Sequence, residues 1–200
     1  LFGFGSRILF SSLLTNLYNN LYYFLISKVY TPRKLGLYTR ADQFSSLIAM
    51  NFAFVLQRVS FPVLTECSTD LSKLTKAYRK LLITSAFFGS LFFFSLCAAT
   101  DHFIVVLIGE KWLEAVPILR ILALSAVFQP LVVLHQNILQ VFGHGKLFLR
   151  LEIVRILFSV LVISVGVYLG FVYMLWGLVI AGIFSFCLYG YFGGLNLLDF

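Results

Sequence analysis

The residues of this chain whose types and spacing could do chemistry are polar side chains set inside long apolar runs. Ser12, Asn16, Asn19 and Tyr23 recur at i, i+4, i+7 and i+11, with Thr15 and Asn20 beside them, which makes one polar stripe on a helix otherwise rich in Leu, Phe and Tyr. Such a stripe of amides and hydroxyls suits sugar hydroxyls or a hydrated cavity; the same groups can also bond helix to helix in a closed bundle. Asn51 and Arg58 lie seven residues apart and so share a helix face. A guanidinium there either grips a phosphate through its fork of donors or extends to the edge of the apolar zone. Gln129, Gln136 and Gln140, with Ser125, fall within about 60 degrees of one another at about 100 degrees per helical residue. Glu152 and Arg155 are i, i+3 neighbours with Ser159 one turn deeper. They are either an intrahelical ion pair or, because ionisable groups in apolar spans are functional suspects, a carboxylate for ion coupling and a cation that meets substrate.

Catalytic and metal-binding patterns are absent on inspection. His102, His135 and His144 have no second ligand at HxxxH or HxxE spacing. Gly143-His144-Gly145-Lys146 lacks the full phosphate-loop spacing and follows no strand. Cys67, Cys97 and Cys187 are odd in number and far apart, which fits packing better than a disulfide framework. The expectation is a protein that is no enzyme, with no catalytic residue, no metal and no cofactor.

The elements that must position these groups follow from composition. Of 200 residues 60% are hydrophobic and only 12% charged, about half the ~25% of soluble domains. At about 20 residues per span, about 120 apolar residues provide for six transmembrane helices. Uncharged apolar runs place them at roughly 8 to 27, 41 to 64, 80 to 100, 115 to 142, 148 to 169 and 171 to 192, so the fold class is an all-α polytopic membrane protein. The connections are short, and Gly170 forces the last two spans into an antiparallel hairpin. Pro130 predicts a kink in the fourth span, as a hinge or as a static bend. Segment 65 to 79 reads as an amphipathic helix on an anionic leaflet, with Leu71, Leu74 and Tyr78 opposite Lys73, Lys76 and Lys80. The net charge of +7 is dispersed in clusters between spans, which points to topology and membrane lipids and not to nucleic acid. Basic residues put the chain start and the 65 to 79 and 143 to 147 connections on the cytoplasmic side.

Three stretches together carry a family likeness: Leu35-Gly36-Leu37-Tyr38-Thr39-Arg40-Ala41, Arg58-Val59-Ser60-Phe61-Pro62-Val63-Leu64-Thr65-Glu66 and Leu107-Ile108-Gly109-Glu110-Lys111-Trp112-Leu113-Glu114-Ala115-Val116-Pro117. In order and spacing they resemble the polysaccharide and lipopolysaccharide flippase (O-antigen or colanic-acid exporter) family of the multidrug/oligosaccharidyl-lipid/polysaccharide superfamily. The resemblance implies that residues 1–200 are one six-helix lobe, the C-terminal one, of a longer chain whose N-terminal lobe would be its partner. It implies a multi-pass protein of the bacterial inner membrane that passes an undecaprenyl-diphosphate-linked oligosaccharide between leaflets by alternating access. It transfers no residue roles: the cavity residues named above are inferred from the polar pattern alone. Rival readings are a small-molecule or drug antiporter of the same superfamily, which calls for a buried carboxylate, and a membrane-embedded glycan polymerase or ligase, which calls for a larger extramembrane loop.

Overall fold

The computed structural model of the chain describes residues 2–195, without the side chains of residues 2–8, 11, 12, 14, 19, 21 and 195. Among the described residues every element is helical. Helix α1 (Phe2–Val29) is followed almost at once by α2 (Pro32–Glu66). Thr31 caps α2 by accepting the Lys34 N–H at 3.4 Å, and Pro32 opens it with a φ already suited to the first turn. The helix therefore begins well before its apolar run, and most of the 28 to 40 connection read from the sequence is helical.

A 3-10 turn (Cys67–Thr69) separates α2 from α3 (Leu71–Ile108), whose first free N–H groups are capped by Asp70 accepting from Lys73 N at 3.1 Å. No proline interrupts residues 71–108, so the segment expected to lie on the leaflet is instead the opening of a 38-residue helix. Leu74 and Tyr78 explain the difference, because both are fully buried against Leu64 and Ile138.

The fourth span breaks in two. After a 3-10 stretch (Glu110–Ala115), α4 (Val116–Ala126) gives way at Val127 and Phe128 to α5 (Gln129–Val141). Pro130 has no N–H to return to the carbonyl of Ala126, so the expected kink is a true interruption. Helices α6 (Gly145–Leu169) and α7 (Phe171–Gly190) form the expected hairpin, and a π-helical turn (Tyr191–Leu195) follows. Gly170 takes φ 133°, open to glycine, and a methyl at Gly166 would stand 2.7 Å from the Met174 Cα, so the two helices touch backbone to backbone.

Among the described residues five helical runs are long and apolar enough to cross a membrane: Pro32–Thr69, Leu71–Ile108, Glu110–Val141, Gly145–Leu169 and Phe171–Gly194. With Leu17 66% and Val106 81% exposed, the outer surface is a hydrocarbon-facing one, and the chain is an all-α, multi-pass membrane protein. The largest apolar cluster, with Ile26, Tyr38, Ile104, Leu119 and Met174, lies where α1 meets α2 and α6 meets α7. The opposite end is the basic end, with Lys73, Lys76, Arg79, Lys80, Lys146 and Arg150.

Helices α1 and α6 run parallel and in register. Thr15 meets Glu152 near the basic end, and Tyr30 OH donates to the Val167 carbonyl at the other, both pairs 137 residues apart in sequence. Helix α2 leans on α4 and α5 instead.

Candidate functional site

The matched register of α1 and α6 builds the most elaborate polar cluster in the described residues. Thr15 and Tyr18 on α1 have the same i, i+3 spacing as Glu152 and Arg155 on α6. Glu152 Oε1 accepts from Thr15 Oγ1 at 2.5 Å and from Arg155 Nη2. Its Oε2 accepts from Tyr189 OH on α7 at 2.6 Å and from Arg155 Nε at 3.1 Å. Four donors thus meet the four lone-pair positions of an ionised carboxylate. The guanidinium grips both oxygens with its fork, and its face lies over the Tyr18 ring at 5.4 Å. Tyr18 in turn shares a hydrogen bond with Tyr22 at 2.9 Å. The Glu152 side chain is 3% exposed and that of Arg155 15%.

Of the sequence candidates, this cluster gathers Glu152, Arg155 and Gln136, whose amide on α5 reaches the Tyr189 hydroxyl. The intrahelical ion pair weighed from spacing alone does form, and the pair is further tied to two other helices. Gln140 is half-buried on α5, and Gln129 is exposed at the break between α4 and α5. Ser159 is buried with its hydroxyl unpaired among the described residues.

A second set stands on open faces. Asn16 and Asn20 are exposed on α1, where Asn20 Nδ2 donates to the Asn16 carbonyl at 2.8 Å. Asn51 and Arg58 are exposed on one face of α2. Asn51 Nδ2 donates to the Leu47 carbonyl at 2.7 Å, and the Arg58 guanidinium stacks 4.3 Å from the Phe54 ring centroid. Arg58 meets no carboxylate among the described residues. Ser12 and Asn19 lie on α1 but outside the described side chains.

Tyr23 closes the first set of candidates differently from expectation. Its hydroxyl donates to Asp42 Oδ2 at 2.5 Å, while Ser46 donates to Asp42 Oδ1 at 3.0 Å, so Tyr23 joins α1 to α2. Asp42, Tyr18 and Tyr189 are the residues that pattern reading passed over, and Thr15 enters it only as a flank of the α1 polar stripe. Ser46 one turn after Asp42 was the only signal for that carboxylate, and the contacts of Tyr189 depend on which helices are neighbours.

Two further buried bonds fasten the basic end. Asn137 Nδ2 donates to Ser60 Oγ at 2.8 Å, and Tyr78 OH bonds His135 Nδ1. Arg120 on α4 pairs with Asp101 on α3. Among the described residues no three of His, Cys, Asp and Glu come together as a metal site.

Residues 1–117 match the family described as "Polysaccharide biosynthesis protein". The chain is 28% identical over 146 residues to the teichuronic acid biosynthesis protein TuaB of Bacillus subtilis (strain 168), covering 73% of this chain and 30% of that protein. It is 29% identical over 127 residues to an uncharacterized membrane protein in the cps region of Klebsiella pneumoniae, covering 60% of this chain and 26% of that one. It is 24% identical over 119 residues to the lipopolysaccharide biosynthesis protein WzxC of Escherichia coli (strain K12), covering 60% and 24%. The chain thus spans less than a third of the length of these relatives. No solved structure matches it.

Proposed function

Because this chain belongs to the polysaccharide biosynthesis protein family, as a polysaccharide flippase family member with several membrane-crossing helices, we propose that it forms one lobe of a transporter. The transporter moves a lipid-linked oligosaccharide or polysaccharide precursor across the bacterial inner membrane by alternating access, and no bond is made or broken. Helix α1, 28 residues long and so about 42 Å at ~1.5 Å per residue, is the sixth crossing of this lobe. A second lobe faces the exposed sides of α1 and α2.

The observation that carries this reading is that α1 and α2 turn amides and an arginine outward from otherwise apolar helices. Polar groups at membrane depth face protein or water and not lipid, so these faces support a hydrated cleft between lobes. A glycan headgroup could not otherwise pass ~30 Å of hydrocarbon. Asn16 and Asn51 offer amides to sugar hydroxyls, and Arg58 offers a fork of donors to the diphosphate. Glu152, more deeply buried than Asp42, is the carboxylate we assign to ion coupling. Its charge is already balanced by Arg155, so coupling through it requires the pair to open.

The test is reconstitution of the full-length protein in vesicles that contain a fluorescent lipid-linked oligosaccharide. The glycan should become accessible to an external glycosidase faster than in protein-free vesicles, with its mass unchanged. No acceleration would overturn the proposal. A longer or transferred glycan would make the protein a polymerase or ligase, and proton-driven loss of a cationic dye alone would favour the antiporter.

A further inference from the structure

Tyr78 and His135 join α3 to α5 in the interior of the basic end, and the transport reading gives the pair no role. The His135 ring is held at one nitrogen alone. Its Nδ1 shares a hydrogen bond with the Tyr78 hydroxyl, while Nε2 is buried with no hydrogen-bond partner among the described residues. Glycines press around the pair: a methyl at Gly190 would stand 3.4 Å from His135 Nε2, one at Gly193 3.1 Å from the His135 carbonyl oxygen, and one at Gly194 3.6 Å from the Tyr78 hydroxyl. The end of α7 and the π-helical turn after it thus close over the pair. Helix α5 also holds α2 at this end, through Asn137 and Ser60. At its other end the break at Val127 and Phe128 separates it from α4, so α5 can turn without α4.

This arrangement accepts a neutral imidazole and not an imidazolium. A neutral ring has one donor and one acceptor, and the Tyr78 hydroxyl can serve either at Nδ1. A charged ring has two N–H donors, and the one at Nε2 would meet the α7 backbone beside Gly190, buried and unpaired. Among the described residues no element packed on α5 brings a counter-charge to the ring. Helix α3 faces it with Tyr78, and α7 with Phe186 and Gly190. Helix α2 reaches α5 through Ser60, its Arg58 and Glu66 being exposed, and Cys67 after it packs on the cluster of Tyr78 and Ile138. The one charge of α4, Arg120, is paired with Asp101. Glu152 on α6 already holds Arg155 and lies beyond Tyr189 and Gln136, and the cations of the basic end are exposed.

We infer that this contact is a proton-released latch. A neutral His135 keeps α5 fastened to α3 and under the closing turn of α7; a protonated His135 swings that end of α5 open, with the break before Pro130 as hinge. The open form binds one proton more, so acid favours it, and the open-to-closed ratio rises by up to about tenfold per pH unit below about 6.5, the ordinary imidazole value. The latch does not rest on the transport reading, since an opened end is measured as a distance whatever the protein carries.

The test is a pH titration of the full-length protein in detergent, with spin labels at Lys76→Cys on α3 and His144→Cys just after α5 and every other cysteine replaced by serine. Both positions are exposed, and His144→Cys also takes away the other imidazole at this end. The distance between labels should be short at about pH 8, and a longer component should grow severalfold between about pH 7 and about pH 5 and vanish on return. His135→Gln stays uncharged and should keep the short distance throughout. Tyr78→Phe leaves the imidazole but removes its partner, so it should move the opening upward by about half to one pH unit. A distance indifferent to pH would overturn the latch, and so would a lengthening that persists in His135→Gln. Should His135→Gln fail to fold, Tyr78→Phe decides, because opening at the wild-type pH in that variant would also overturn it.

Discussion

Arg155 and Arg58 both sit within apolar helices, and the fold gives them opposite surroundings. Arg155 lies three residues from Glu152 on a helix covered by α1 and α7, so its charge is matched, buried and hydrogen-bonded to its partner. Arg58 lies on a face of α2 that no described helix covers, and an aromatic ring is what it rests on. The difference teaches that a guanidinium in a span is either closed into the architecture or kept for something outside it. Removing one partner of a buried pair strands the other charge. Removing an exposed arginine strands nothing.

The sharpest way to break the contrast is at Glu152. Glu152→Ala leaves Arg155 buried without its counter-ion and should lower the stability of the full-length protein by about 3–5 kcal/mol, read as thermal unfolding in detergent. Adding Arg155→Ala should recover part of that loss; a double variant whose loss is the simple sum would show the two groups uncoupled. Tyr189→Phe removes one donor to the carboxylate and should cost about 1.5–3 kcal/mol, the range for hydrogen bonds to charged groups. Wild-type unfolding in this variant would mean that the α7 contact is not maintained. Gly166→Ala presses a methyl toward the Met174 backbone and should cost about 1–3 kcal/mol by overpacking α6 against α7. Gly36→Ala on α2, with open space around it, should instead be neutral or stabilise by up to about 1 kcal/mol. Equal effects of the two substitutions would refute the close approach.

Much of this architecture was legible in the sequence because the bilayer imposes a simple rule on length and polarity. The five apolar helical runs among the described residues fall where the sequence placed five of its spans, and Pro130 and Gly170 mark a break and a hairpin because each acts through its own backbone. Helix ends were less legible, since Thr31 and Asp70 start α2 and α3 through capping bonds that hydropathy does not record. The site was legible only along single helices. Spacing alone put Glu152 beside Arg155 and Asn51 on the face of Arg58. It could not say that α6 lies in register with α1, which is what brings Thr15 and Tyr18 to the pair, nor that Tyr23 would be held by Asp42. Those contacts depend on which helices are neighbours, and one sequence does not state that.

Arg58→Ala completes the comparison because its two readouts should diverge. An exposed side chain with no carboxylate partner contributes little to folding, so unfolding should stay within about 0.5 kcal/mol of wild type. Under the proposed transport reading glycan export at normal expression should nevertheless fall sharply, since Arg58 is exposed and meets no carboxylate among the described residues, which leaves its fork of donors for the diphosphate. Arg58→Lys keeps the charge and loses the fork of donors, so it should export at a level between the two. If Arg58→Ala exports like wild type, Arg58 is a residue that only reaches for the interface, and the cavity must be sought on α1 instead. If it exports poorly because it unfolds, the face of α2 is covered in the whole protein, and the two arginines differ less than the described residues make them.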